Sequence, residues 1–235
     1  MAAESPASAA LPPPPPVEAT EVFGSALDTA RRFAELLATD GVTRGLIGPR
    51  ETSRLWDRHL LNCALVADLV PEHGELVDIG SGAGLPGVVL AMLRPNVRVI
   101  LLEPMLRRSV FLDECVARLG LTNATVVRGR AEDMVGVIRA DIATARAVAP
   151  LDRLAGWAAG VLKPGGQILA IKGESAADEL ADARPVLSRL GARSAEVLRV
   201  DHGRVVSATT VVRVVIGGRG REEQAGAHRS RRGVA

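Results

Sequence analysis

ELVDIGSGAGLPGVVLAML, running from Glu75 to Leu93, is the stretch on which the fold turns. A short apolar run ending at Ile79 enters a glycine turn, and a second apolar run, Val88 to Leu93, leaves it. Strand, glycine turn and helix in that order open a parallel α/β sheet. Two glycine signatures overlap in the turn. Gly80, Gly82 and Gly84 read G-x-G-x-G behind Asp78, while Gly82, Gly84 and Gly87 read G-x-G-x-x-G, the pattern that cradles nucleotide phosphates. The two readings want opposite charges at the strand end.

Working outward, the same rhythm repeats. VRVILLE precedes a helix over Leu106–Leu119, ATVVRG a short helix from Ala131, DIATARA a helix over Leu151–Leu162, and GQILAIKG a helix over Ser175–Leu190. Such alternation predicts a mostly parallel sheet with helices on both faces. SAEVLRV and TTVVRVVIG then follow with only a loop between them, which permits an antiparallel pair and brings the sheet to seven strands. Upstream, Val22, Ala26, Ala30, Phe33 and Leu37 recur at near-helical spacing, predicting a helix over Ala19–Ala38. TDGVTRGLIGPRE reads as loop, and a second helix is expected over Glu51–Leu69, ahead of Pro71, with Arg54 and Arg58 on one face.

Composition sets the bounds. At 235 residues and 47% hydrophobic, the chain is of a size to bury one core. No apolar run reaches the roughly 18 residues of a membrane span. The domain reading is a disordered proline-rich leader over 1–17, one domain over 18–216 (N-terminal helices to 71, sheet core from 72), and a disordered arginine-rich tail over 217–235. Cys63 and Cys115, the only cysteines, have no metal-like spacing and read as buried thiols in a reducing cytoplasm. Aromatics are 2% of the chain, with no tyrosine, which disfavours a single-strand binder built on base stacking. Nearly all the positive charge is arginine; Lys163 and Lys172 are the only lysines.

Asp78 and Glu103 decide between the two turns. Ligands of open α/β sheets sit at the carboxyl ends of the strands, where both acids fall. Glu103, after the second strand, suits ribose hydroxyls under either reading. Asp78 does not. A carboxylate beside a pyrophosphate is repelled, whereas beside an ammonium or a sulfonium it is attracted. S-adenosylmethionine carries both cations. The Pro164-Gly165-Gly166 turn before the fifth strand agrees, since that feature recurs in enzymes using this donor. The expected fold class is therefore α/β, a class I (Rossmann-like) S-adenosylmethionine-dependent methyltransferase.

At this point a resemblance becomes specific. RHLLN, DIGSGAGLPGVVLAMLRP, LLEPMLRRSVFLDECVARLGL, GRAED, TARA and AIKGE fall in the order found in the GidB/RsmG family of bacterial 16S rRNA (guanine-N7) methyltransferases, and the chain resembles that family from about Arg54 to Glu174. The resemblance implies donor contacts at Gly80, Leu85, Ala131, Glu132 and Arg146, beside Asp78, Gly82, Gly84 and Glu103 from the turn itself. Ala145 stands where the family usually has serine, and Met105-Leu106 replaces a more polar turn. Guanine N7 has a lone pair and no proton to lose, so its methylation needs alignment and no general base. Arg146, ending an otherwise apolar strand, is expected to face either the donor's carboxylate or the guanine.

Arg54, Arg58 and His59, with Arg107 and Arg108, form the expected RNA-facing patch, and Lys172 the expected phosphate contact. The partner is then 16S rRNA or the small ribosomal subunit, with no metal and no membrane, and the protein is read as monomeric and cytoplasmic. Two other readings stand beside this one: a methyltransferase on another RNA or a small molecule, and a non-catalytic rRNA-binding assembly factor.

Overall fold

Seven strands form one sheet in the order β3-β2-β1-β4-β5-β7-β6. They are β1 (Gly74–Ile79), β2 (Val97–Leu102), β3 (Ala124–Val127), β4 (Ala140–Arg146), β5 (Leu162–Lys172), β6 (Ala192–Val200) and β7 (Thr209–Ile216). The first five are parallel, while β7 runs antiparallel to both β5 and β6. The computed structural model describes residues 11–201 and 208–217; the first ten residues, 202–207 and the arginine-rich tail from 218 on lie outside that range.

Period-two alternation divides the core. Leu76 of β1, Leu169 and Ile171 of β5 and Val211 of β7 face one layer, and Val77, Ile79, Ile168, Ala170, Val212 and Val214 face the other. The second layer is α6 (Leu151–Val161) and α7 (Ala176–Arg189). The first is α4 (Gly87–Leu93) and α5 (Leu106–Leu119) together with the N-terminal helices. Phe33, Leu37, Leu55, Leu60 and Leu61 are fully buried there, each worth about 1.5–3 kcal/mol over exposure.

The N-terminal helices depart from the expected bounds. The helix expected over Ala19–Ala38 is α1 (Val17–Phe23), a 3-10 turn over Gly24–Ala26, α2 (Leu27–Leu36) and a π-helical end over Leu37–Gly41. The break falls at Gly24, whose φ of +49° interrupts the helical backbone. Part of the expected loop is thus helical. The second helix starts earlier, at Pro49, and passes through 3-10 (Pro49–Arg54), π-helical (Leu55–Leu61), α3 (Asn62–Ala64) and 3-10 (Leu65–Leu69) segments.

Residues 11–16, assigned to the leader, touch this layer: the Trp56 indole donates to the Pro13 carbonyl at 2.9 Å. After α6, the Pro164-Gly165-Gly166 turn belongs to β5, with Gly165 at φ +84° and a register break between Ala140 and Ile142. The chain therefore reverses through a bulge rather than a separate loop.

Candidate functional site

Asp78 is fully buried beneath the glycine turn. Its Oδ2 accepts from the Ser81 hydroxyl at 2.6 Å and the Gly87 amide at 2.9 Å, so it ties the turn to the start of α4. Its Oδ1 is buried and has no hydrogen-bond partner among the described residues. Burial pushes the carboxyl up to about 6 despite those two donors.

Glu103 sits just after β2, 1% exposed, with Oε2 accepting from the Gly82 amide and Oε1 from the Met105 amide, each at 3.0 Å. It thus joins the turn to the head of α5. Arg108 stands 3.9 Å away.

The glycines divide their work. Gly80 (φ +68°) faces Val148 of the loop after β4 so closely that a β-carbon there would overlap the valine. A β-carbon on Gly82 (φ +60°) would meet only the Gly80 carbonyl oxygen, at 3.7 Å, and its amide donates to Glu103. Gly84 abuts Phe33 and Val88, and Leu85 is buried, so both pack the turn onto the first layer.

Two cavities open at the carboxyl ends of the strands. The smaller, about 100 Å³, is a slot lined by Ile79, Gly80, Leu102, Ala131, Trp157 and Val148, with exposed Glu132 at its margin. The larger, about 860 Å³, is lined by Arg54, Asp57, Arg58, Asn62, Arg146 and Lys172 among others. Val148 belongs to both walls. Ala147 before it holds φ +52°, a conformation that costs an L-residue of order 1–3 kcal/mol.

The structure brings Gly80, Ala131 and Glu132 together on the slot, and Arg54, Arg58, Arg146 and Lys172 on the larger cavity. Gly82, Gly84, Leu85, Asp78 and Glu103 line neither and act from beneath. Arg146 donates to the Arg58 carbonyl at 2.9 Å and reaches Cys63 Sγ at 3.5 Å, joining β4 to the N-terminal layer.

Two of the expected RNA contacts are engaged within the chain. His59 is 9% exposed and bonded through Nε2 to Glu51 at 2.9 Å; burial, then the nearby Arg146, lowers its pKa, so it presents no charge to a ligand. Lys172 donates to the Ala149 carbonyl at 2.8 Å and to Glu179 at 2.6 Å, its side chain 8% exposed. Burial alone would raise the Glu179 carboxyl; the Lys172 ammonium outweighs it and holds the carboxyl below its usual range. Lys172 clamps the 147–150 loop to α7. Arg107 and Arg108 lie on neither cavity wall but on the first turn of α5.

Sequence reasoning missed Val148, Ala147, Asn62 and the slot face of Trp157. Trp157 is half-buried and packs against the second layer while also lining the slot. Among the described residues, no group of three His, Cys, Asp or Glu is placed to hold a metal ion, and no helix is long and apolar enough to cross a membrane.

A seven-stranded sheet with a reversed β7, a glycine turn after β1 and an acid after β2 defines the class I methyltransferase fold. Solved structures agree on the fold: a SAM-dependent O-methyltransferase from Thermotoga maritima superposes with a TM-score of 0.54 at 16% identity, covering 69% of this chain and 67% of that one. A precorrin-6y C5,15-methyltransferase from Geobacter metallireducens gives 0.51 at 17%, covering 66% and 87%.

The chain belongs to the GidB family, described as rRNA small subunit methyltransferase G, whose profile matches residues 26–206. Ribosomal RNA small subunit methyltransferase G of Thermobifida fusca is 59% identical over 198 residues, covering 84% of each chain. That of Streptomyces coelicolor is 54% identical over 206 residues, covering 87% of this chain and 86% of the relative.

Proposed function

We propose that the protein transfers a methyl group from S-adenosylmethionine to N7 of a guanine in a loop of 16S rRNA. The observation that carries this reading is the adjacency of the two cavities across Val148: an apolar slot beside the glycine turn, and an arginine-lined chamber large enough for a nucleotide. Family membership supplies the substrate class.

The residues present fit the donor on one structural ground. Asp78 Oδ1 is buried and lacks a hydrogen-bond donor, and an ammonium group answers both its charge and its unused lone pairs. When bound, the donor supplies an electrophilic methyl carbon on a sulfonium. Gly80, Ala131 and Glu132 would hold its purine side at the slot, and the lone pairs Glu103 keeps beyond its two amide bonds would take ribose hydroxyls. Arg146 stands on the chamber wall for the donor's carboxylate or the guanine.

The chain's remaining task is alignment. N7 carries its own lone pair, so holding the base in line replaces proton removal as the catalytic contribution. Burial raises the Cys63 thiol to about 11 and the Cys115 thiol to about 12, which keeps both protonated and unreactive at neutral pH.

The test is methylation of 16S rRNA, both free and in the assembled small subunit, with labelled S-adenosylmethionine and purified protein, followed by mapping of the product. The expected product is 7-methylguanosine at a single loop position. Label on another atom, or none on either substrate, overturns the reading.

A further inference from the structure

Asn62 lies on the wall of the larger cavity, between Arg58, whose carbonyl receives Arg146, and Cys63, which Arg146 also touches. Its side chain is held from behind by Thr209, the first residue of β7, which is fully buried. The Thr209 hydroxyl donates to the Asn62 main-chain carbonyl at 2.7 Å. A hydroxyl has one proton to give. Its oxygen must therefore accept from the side-chain amide, whose Nδ2 lies at 2.8 Å. That parity sets the amide nitrogen toward Thr209 and leaves Oδ1 as the acceptor of a side chain that lines the cavity. A residue 147 positions away thus makes Asn62 a hydrogen-bond acceptor on the chamber wall.

We infer that Asn62 Oδ1 accepts a hydrogen bond from the Watson–Crick edge of the acceptor base and selects guanine; this rests on the guanine reading proposed above. Guanine carries two adjacent donors on that edge, N1–H and the N2 amine. Adenine has a bare N1 lone pair and no group at C2, and its one donor, the N6 amine, stands where guanine has O6, so an acceptor set against N1 or C2 goes unmatched. With N7 directed at the donor site, the Watson–Crick edge is the part of the ring free to meet the chamber wall. Asn62 comes to that wall from the N-terminal layer, and Val148, shared with the slot, comes from the loop after β4. Asn62 is then a specificity-determining residue, and Thr209, acting through it, a positioning residue. A site built to bond a polar group rejects the analogue that lacks it, because its own polar atom is left unpaired.

The experiment compares kcat/KM of the full-length protein on 16S rRNA carrying guanosine, inosine (no N2 amine) or 2-aminopurine (no N1–H) at the methylated position. Wild-type protein should lose about tenfold on the analogue missing the bonded donor. Asn62→Leu and Thr209→Val should abolish that preference, and Thr209→Ser, which keeps the hydroxyl, should retain it. The serine variant separates loss of the hydroxyl from damage to β7. Wild-type protein that treats the three substrates alike, or a preference that survives both Asn62→Leu and Thr209→Val, overturns the assignment. Wild-type protein that methylates no guanosine substrate at N7 overturns the proposed function instead, so the two failures are told apart.

Discussion

Gly80 and Val148 touch across the carboxyl edge of the sheet, the glycine that opens the turn lying against the valine that divides the slot from the larger cavity. A side chain at position 80 would have to displace Val148 and also hold a φ of +68°. The slot and the larger cavity are therefore mechanically linked at one point.

Gly80→Ala should weaken donor binding through both effects, with the left-handed backbone alone costing of order 1–3 kcal/mol. Val148→Ala added to it should relieve only the steric part. Calorimetric titration of the two variants checks this; a double variant as weak as Gly80→Ala would show that the collision contributes nothing.

Glu103 holds the Gly82 and Met105 amides, and the proposed function gives it the ribose hydroxyls as well. Glu103→Ala leaves the part-buried Gly82 and Met105 N–H groups without their acceptor, so it should lower stability without ligand by about 1 kcal/mol and reduce donor affinity at least tenfold. Urea unfolding and calorimetry measure the two separately. Lost stability with unchanged affinity would leave Glu103 a purely structural link.

Asp78 gives a pH dependence. Its folded pKa of about 6 lies above the ordinary carboxyl value of 3.8, so between those values the native state binds the extra proton and stability falls as pH rises. Above pH 6 the ionised, half-bonded carboxylate is a net cost that an ammonium partner would relieve. Donor affinity should accordingly fall below pH 6, by up to about tenfold per unit, and Asp78→Asn should flatten the profile while being no less stable than wild type at pH 8. An affinity profile identical in the two proteins would remove Asp78 from donor binding.

Salt dependence separates the basic residues. Arg54 and Arg58 line the larger cavity with exposed side chains, whereas the Lys172 ammonium is engaged by Glu179 and Ala149. Arg54→Ala or Arg58→Ala should lower the salt slope of RNA binding by about 0.7–0.9 for each phosphate left without its arginine. Lys172→Met should leave the slope alone and instead destabilise the 147–150 loop. A reduced slope in Lys172→Met would restore the phosphate role first expected of it.

The fold was legible because its signals are local. Period-two strands, the glycine turn and the Pro164-Gly165-Gly166 reversal each lie within a few consecutive residues. Of the candidate site, the charged residues at or beside strand ends, Asp78, Glu103 and Arg146, could be picked out from the sequence. What one sequence position does not carry is the partner across the fold. His59 reads as a surface charge until Glu51 and Arg146 surround it, and Lys172 as a free cation until Glu179 folds back from α7. Val148 and Trp157 are apolar and carry no chemical signature, so only the shape of the slot assigns them. The Asn62–Thr209 pair spans nearly the whole sheet core in sequence, and neither residue signals the other.

The acceptor's presentation follows from where the larger cavity lies. Guanine N7 is on the major-groove edge, which in A-form RNA is deep and narrow. The chamber is concave and walled by the N-terminal layer on one side and the β4 and β5 ends on the other, so it admits a base rather than entering a groove. The target guanine must then be unstacked, either already in a loop or flipped out at a cost of a few kcal/mol. Trp157 is placed at the slot and Trp56 is buried, so the base in the chamber is to be held by arginine planes and polar groups. A loop-containing rRNA fragment should be methylated far faster than the same guanine locked in a perfect duplex, with purified protein and labelled donor in both arms. Equal rates on loop and duplex would mean that the base is reached without leaving the stack, and the chamber would have to be given another role.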